Sequence, residues 1–137
     1  MQTFLPYADY TRTAKCLDRQ RLGKQRVECK QILKALENGG GWSNHPATKM
    51  WVGHEYELTI YAVAIVNEWI SRGYKDSMMP FFLDKLQKFA NYNRECPYWM
   101  GGRIHTTHRS NLLRKLPDHY EQFNWGCGSE LEYHWPV

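Results

Sequence analysis
Residues 17–33, LDRQRLGKQRVECKQIL, leave the fold the least freedom, because apolar side chains stand at Leu22, Cys29, Ile32 and Leu33 and continue to Leu36. A spacing near 3.6 residues predicts an amphipathic helix rather than a strand. Following that phase, Leu22, Cys29 and Leu33 centre the buried stripe, and Arg21, Lys24 and Glu28 fall together on its flank. The same period returns in residues 47–72, where Trp51, Leu58, Ala62, Ile65 and Trp69 line one side. Val52, Ile60, Val63, Val66 and Ile70 widen that side, so the segment reads as one long central helix stopped by Gly73. A further amphipathic helix is expected over residues 80–92, behind Pro80, with Phe82, Leu83, Leu86, Phe89 and Ala90 inward. Tyr7 to Cys16 reads as a short helix or turn with Asp9 or Thr11 as cap; Asp18 caps the basic helix, and Asn38 with Gly39–Gly41 ends it. With 137 residues and no internal repeat or linker, the chain is expected to be all-α. The expectation is one compact helical bundle over residues 1–137, with a long central helix and irregular loops.

Charge is local. From Arg12 to Lys34 there are eight Lys or Arg against two acids, whereas the whole chain is only +4. A basic stripe of this kind suits a nucleic-acid partner. Glu28 within it has two readings. It forms an intrahelical ion pair with Lys24 four residues earlier, in the weaker orientation, or it is a working carboxylate set among cations. Six Trp and nine Tyr exceed what a core of this size takes, so some aromatics are expected at a binding surface. Cys16, Cys29, Cys96 and Cys127 lack metal-type spacing, and no signal peptide or long apolar run is seen. They read as reduced thiols of a cytoplasmic protein, nucleoid-associated if bacterial or phage, with no membrane partner. His105 and His108 lie three apart without third and fourth ligands at a sensible spacing, so no metal is expected.

Leu17, Asp18, Leu22 and Glu28 make the pattern L-D-x-x-x-L-x-x-x-x-x-E. With the loop Asn44–His45–Pro46, the helix ending Arg72–Gly73–Tyr74, and weaker echoes at His105 and Leu116–Tyr120, this resembles the pyrimidine-dimer DNA glycosylases. The resemblance implies a DNA glycosylase with an AP-lyase step, acting as a monomer on cyclobutane dimers in double-stranded DNA without metal or nucleotide cofactor. It implies that the chain's α-amino group, here that of Met1, attacks the sugar C1′ to form an imine. It assigns to Glu28 the stabilisation of positive charge on the sugar and the shuttling of protons. An α-amino group, with an ordinary pKa near 8, offers more free base at neutral pH than a lysine does. Two departures are visible. Gln2 is too large to favour removal of Met1, and, if exposed as the new terminus, it could cyclise. Val27 stands directly before the glutamate, where the family pattern has Arg. Either Met1 is the nucleophile, or Glu28 activates water and no imine forms, which would make the chain a monofunctional glycosylase for a modified base.

Residues 1–6 are expected to form an arm packed on the body, stopped by Pro6. Gly23 inside the basic helix is either simply tolerated or admits a close approach by the arm or a phosphate. His45, held extended before Pro46, is either a structural hydrogen-bonder or faces the site. Thr106, Thr107, Ser110 and Arg109 suggest a phosphate clamp at a helix N-terminus, against the alternative of a solvated basic face. The expected phosphate contacts are Arg19, Arg21, Lys24, Arg26, Arg109, Arg114 and Lys115. By resemblance, Tyr120, Phe123 and Trp125 match an aromatic cluster near the damaged base pair, and Tyr133 and Trp135 should pack back on the body. Two other classes fit the residues: a non-catalytic nucleic-acid binder, which Glu28→Gln would leave intact, and a helical protein with an incidental charge cluster.

Overall fold
The computed structural model describes residues 1–137, and the chain is all-α, without strands. Seven helices follow one another: α1 Tyr10–Cys16, α2 Arg19–Asn38, α3 Pro46–Lys49, α4 Glu55–Ser71, α5 Met79–Lys88, α6 Ile104–Lys115 and α7 Pro117–Tyr120. Helix α4 packs against α1, α2 and α5. None of the helices is long and apolar enough to cross a membrane.

The caps fall where short polar side chains allow. Asp9 accepts from the Arg12 amide to start α1, and Asp18 accepts from the Arg21 amide to start α2. Gly39, at φ +75°, ends α2, and Gly73, at φ +93°, follows α4. The expected stripe of α2 is buried, with Leu22, Cys29, Ile32 and Leu33 fully enclosed. Arg72 closes the neighbouring helix end: its guanidinium donates to the carbonyls of Ala14, Lys15 and Leu17, and its Nε pairs with Glu68. These are the carbonyls that α1 leaves unpaired at its C-terminus.

The long helix expected over residues 47–72 is broken. Helix α3 stops at Lys49, and a turn with Gly53 at φ +82° separates it from α4. The turn lets the fully buried Trp51 swing beneath the N-terminal arm, where its indole N–H donates to Thr3 Oγ1 at 3.1 Å. Val52 and Ile70, placed on the inner side by periodicity, are 63% and 46% exposed. The segment is apolar almost all round, so its period could not choose between faces. Leu83 of α5 is likewise exposed, while Phe82 and Phe89 carry that contact. Gly23 has a packing reason: a Cβ there would stand 3.0 Å from the ring of Trp69 on α4. Neither the arm nor a phosphate is what it admits.

The two chain ends lie over this frame. The arm, residues 2–5, is buried. The tail beyond Gly126 has no regular structure and runs along α6.

Candidate active site
A cavity of about 360 Å³ opens between the arm, α2, the end of α6 and the tail. Met1, Arg21, Lys24, Glu28, Lys115 and Tyr133 contribute to its wall. Helical phase explains three of them. Arg21, Lys24 and Glu28 are separated by three and four residues, so they project from one strip of α2 beside the buried stripe.

Glu28 is half-buried and makes no ion pair with Lys24. Its Oε2 instead accepts two hydrogen bonds, from the Gln2 amide at 3.0 Å and from Gln25 Nε2 at 3.0 Å. Oε1 has no protein donor. The carboxylate is therefore oriented by one oxygen and leaves the other for whatever enters the cavity. Gln25, 1% exposed, ties it to the arm. Its Nε2 also donates to Gln2 O at 2.6 Å, while its Oε1 accepts from the Phe4 amide at 2.9 Å. The hydroxyl of fully buried Tyr61 lies 2.7 Å from that oxygen and 2.6 Å from Phe4 O.

Two histidines of α6 fix the next residue of the arm. His105 Nε2 accepts from the Gly101 amide, which leaves the proton on Nδ1, donated to Leu5 O at 2.7 Å. His108 Nδ1 accepts from the Leu5 amide at 2.8 Å. Both imidazoles are neutral in these roles, and burial lowers both pKa values, that of His108 to about 3. They are arm-holders, and no cluster of side chains that could hold a metal is present.

Lys24 and Lys115 are exposed at the cavity and pair with no acid. Arg21 also lines it, with one guanidinium nitrogen 3.2 Å from Asp18. Burial pushes the Tyr133 hydroxyl up to about 12, Glu28 adding to this and Arg114 and Arg21 opposing it. His45 sits close enough to feel both the chain terminus and Glu28. Desolvation and the positive N-terminus lower its pKa, and Glu28 opposes them. Its ring nitrogen caps α3 by accepting from the Ala47 amide, and its ring meets Trp42 and Trp135.

Residues 1–80, more than half of the chain, match the family model described as Pyrimidine dimer DNA glycosylase. The chain belongs to that family. No curated protein and no solved structure matches. The pyrimidine dimer DNA glycosylase match covers Met1, the basic strip of α2, Glu28 and His45, and stops before α6 and the tail. Lys115 and Tyr133 of the cavity wall thus come from outside the matched residues.

Not every cation expected on DNA reaches the cavity. Arg26 lies elsewhere on α2, paired with Asp76 at 2.6 Å and stacked on Trp69, so it ties α2 to the segment before α5. Arg109 donates to Pro6 O and Arg114 to the tail carbonyls of Ser129 and Leu131. Arg19 is exposed near Tyr74. Two of the three α6 hydroxyls expected at a phosphate are taken by the tail: Thr107 Oγ1 accepts from the His134 amide, and Ser110 Oγ from the Leu131 amide, while Thr106 is exposed. Tyr120, Phe123 and Trp125 stack on one another, with the Tyr120 hydroxyl donating to Asp18 and the Trp125 N–H to Tyr7. That cluster braces the start of α2, with Tyr120 buried and Phe123 and Trp125 partly exposed.

Sequence reasoning missed Gln25 and Tyr133. Gln25 follows Leu22 by three residues and precedes Cys29 by four, so a polar amide stands inside the apolar stripe. A buried position given to an amide signals partners to be found. Nothing in the tail sequence marks Tyr133.

Proposed function
We propose that this DNA glycosylase cleaves by attack of the Met1 α-amine on C1′ of a nucleotide of a pyrimidine dimer in duplex DNA, with Glu28 as proton carrier. The observation that carries the reading is that Met1 and Glu28 share one cation-rimmed cavity, with Glu28 oriented through Oε2 and its Oε1 without a protein donor. In the first step the amine nitrogen bonds to C1′, and the C1′–N1 bond breaks, its electron pair leaving with the base. Positive charge developing on the sugar is stabilised by the nearby carboxylate. Ring opening then places the electron pair of the C1′–O4′ bond on O4′, which takes a proton, while the nitrogen becomes a protonated imine. Removal of a C2′ proton by Glu28 drives elimination of the 3′ phosphate and nicks the strand.

Lys24 and Lys115, unpaired at the rim, with Arg21 beside them, suit the flanking phosphates, so binding should weaken as salt rises. Extruding or unstacking the lesion costs a few kcal/mol, less where pairing is already damaged. These phosphate contacts offset it. Arg26, Arg109 and Arg114 support the frame in this reading, and His45 caps α3. One protein molecule per lesion is enough, because every group invoked comes from a single chain.

Borohydride trapping on a duplex with one cyclobutane dimer, followed by mass analysis of the N-terminal peptide, tests this directly. A covalent adduct on Met1 is expected, and Glu28→Gln should still bind the duplex while forming no product. Base release without an adduct would replace the amine by water activated at Glu28. An adduct on Gln2 would mean that Met1 is lost and that the Gln2 nitrogen, 3.0 Å from Glu28, is the nucleophile.

A further inference from the structure
We propose that Gln25 is a positioning residue of the reaction, a two-handed amide that sets Glu28 and the amine-bearing arm at a fixed separation. The inference rests on the roles given above to Met1 and Glu28. Its basis is the hydrogen-bond count of one buried side chain. A primary carboxamide carries two N–H donors and one acceptor oxygen. Both donors are used in different directions, one on Gln2 O and one on Glu28 Oε2. The oxygen takes the Phe4 amide, with the Tyr61 hydroxyl as its second neighbour. One side chain therefore touches the arm on both sides of Thr3 and the carboxylate at the same time.

No other natural side chain of this length supplies the pattern. Glutamate has no N–H, and a protonated carboxyl offers one donor where two are needed. Methionine keeps the length and offers none. Because the Gln25 side chain is almost wholly buried, a group left unmatched there finds little water in exchange, and the arm or the carboxylate must shift to relieve it. A displacement on the order of 1 Å between reacting groups can cost about a hundredfold in rate. A merely structural glutamine would lower stability and leave the chemistry of the folded fraction unchanged.

The test compares wild type with Gln25→Glu and Gln25→Met on a dimer-containing duplex, measuring single-turnover base release, duplex affinity and the pH–rate profile of the folded protein. For Gln25→Glu the single-turnover rate should fall about a hundredfold, with a much smaller change in affinity. Two carboxyls this close hold one proton between them, so the acidic limb of its profile should move to higher pH. Gln25→Met should lose rate without that displacement of the limb. Wild-type rates and profiles in folded Gln25→Glu would overturn the inference while leaving the Met1 and Glu28 roles standing. Absence of base release by wild type would sink those roles and the inference together. Should neither variant fold, the unaltered protein decides. Both Gln25 side-chain amide protons should exchange slowly with solvent, and one of the pair should shift in Glu28→Gln; fast exchange of either overturns the proposal.

Discussion
The two ends of the chain are both without regular structure, yet they are held in opposite ways. Along the arm, the backbone is gripped by side chains from three helices, all buried but the half-buried Glu28: Glu28 and Gln25 of α2, Tyr61 of α4, and His105 and His108 of α6. The amides of residues 2–5 all have side-chain acceptors. Along the tail, the grip is partly at the surface: Arg114 reaches Ser129 and Leu131 there, while the buried Ser110 and Asn111 of α6 hold an exposed Leu131. A buried hydrogen bond has no water to replace it, whereas an exposed one is exchanged at little cost. The arm is therefore located to within hydrogen-bond tolerance, and the tail is a covering that supplies Tyr133 to the cavity wall.

The largest expected effect comes from unfastening the arm. His105→Leu strands the buried Leu5 O and removes the acceptor of the Gly101 amide, at a cost of about 1–3 kcal/mol. Thermal or urea unfolding reads this cost, and base release by the folded fraction should also fall. A stability unchanged by His105→Leu would break the contrast between the ends.

Acid should act on the same clasp. His108 titrates near 6.5 when unfolded and is pushed down to about 3 when folded, by burial first and then by the neighbouring His105 and His134. The unfolded chain takes up a proton that the folded chain refuses. Stability from this group is thus complete above about 6.5 and is lost progressively as pH falls from there toward 3. His108→Asn, whose side-chain oxygen can accept from the Leu5 amide without titrating, should flatten the fall of melting temperature across that window. An equally steep fall in His108→Asn would remove His108 from the account.

Deleting residues 128–137 should cost less than His105→Leu, on the order of 1 kcal/mol, because the α6 groups it uncovers can turn to water. Its effect should appear instead in activity, through loss of the Tyr133 wall. A truncated chain as unstable as His105→Leu would make the tail a second clasp. The smallest effect is expected for Arg114→Ala, within about 0.5–1 kcal/mol by unfolding, since its carbonyl partners are exposed.

Much of the frame was legible beforehand, for a definite reason. In α2 the apolar stripe, the Asp18 cap and the glycine stop all point to one helix, and the local signals agree with the packing. The grouping of Arg21, Lys24 and Glu28 followed from phase alone. The break between α3 and α4 was not legible. Val52 and Ile70 are as apolar as the residues beneath them, and only the fit of Trp51 under the arm makes Gly53 a turn. For the cations, the reading stopped at charge. Composition cannot sort one cation of α2 from another: Lys24 reaches the rim, while Arg26 is taken by Asp76, far along the chain.

By itself the sequence determined an all-α chain, a basic helix with a carboxylate on its flank, and an apolar arm ended by proline. These are properties of neighbours along one helix or one short segment, and spacing encodes them. Tertiary structure alone decided that the arm passes over Glu28, that Gln25 and two histidines fasten it there, and that the tail closes the far wall. Those contacts join residues up to about a hundred positions apart, as Leu5 and His108 are. No local periodicity specifies such a pairing; it arises when the helices pack and each buried polar group must find its partner.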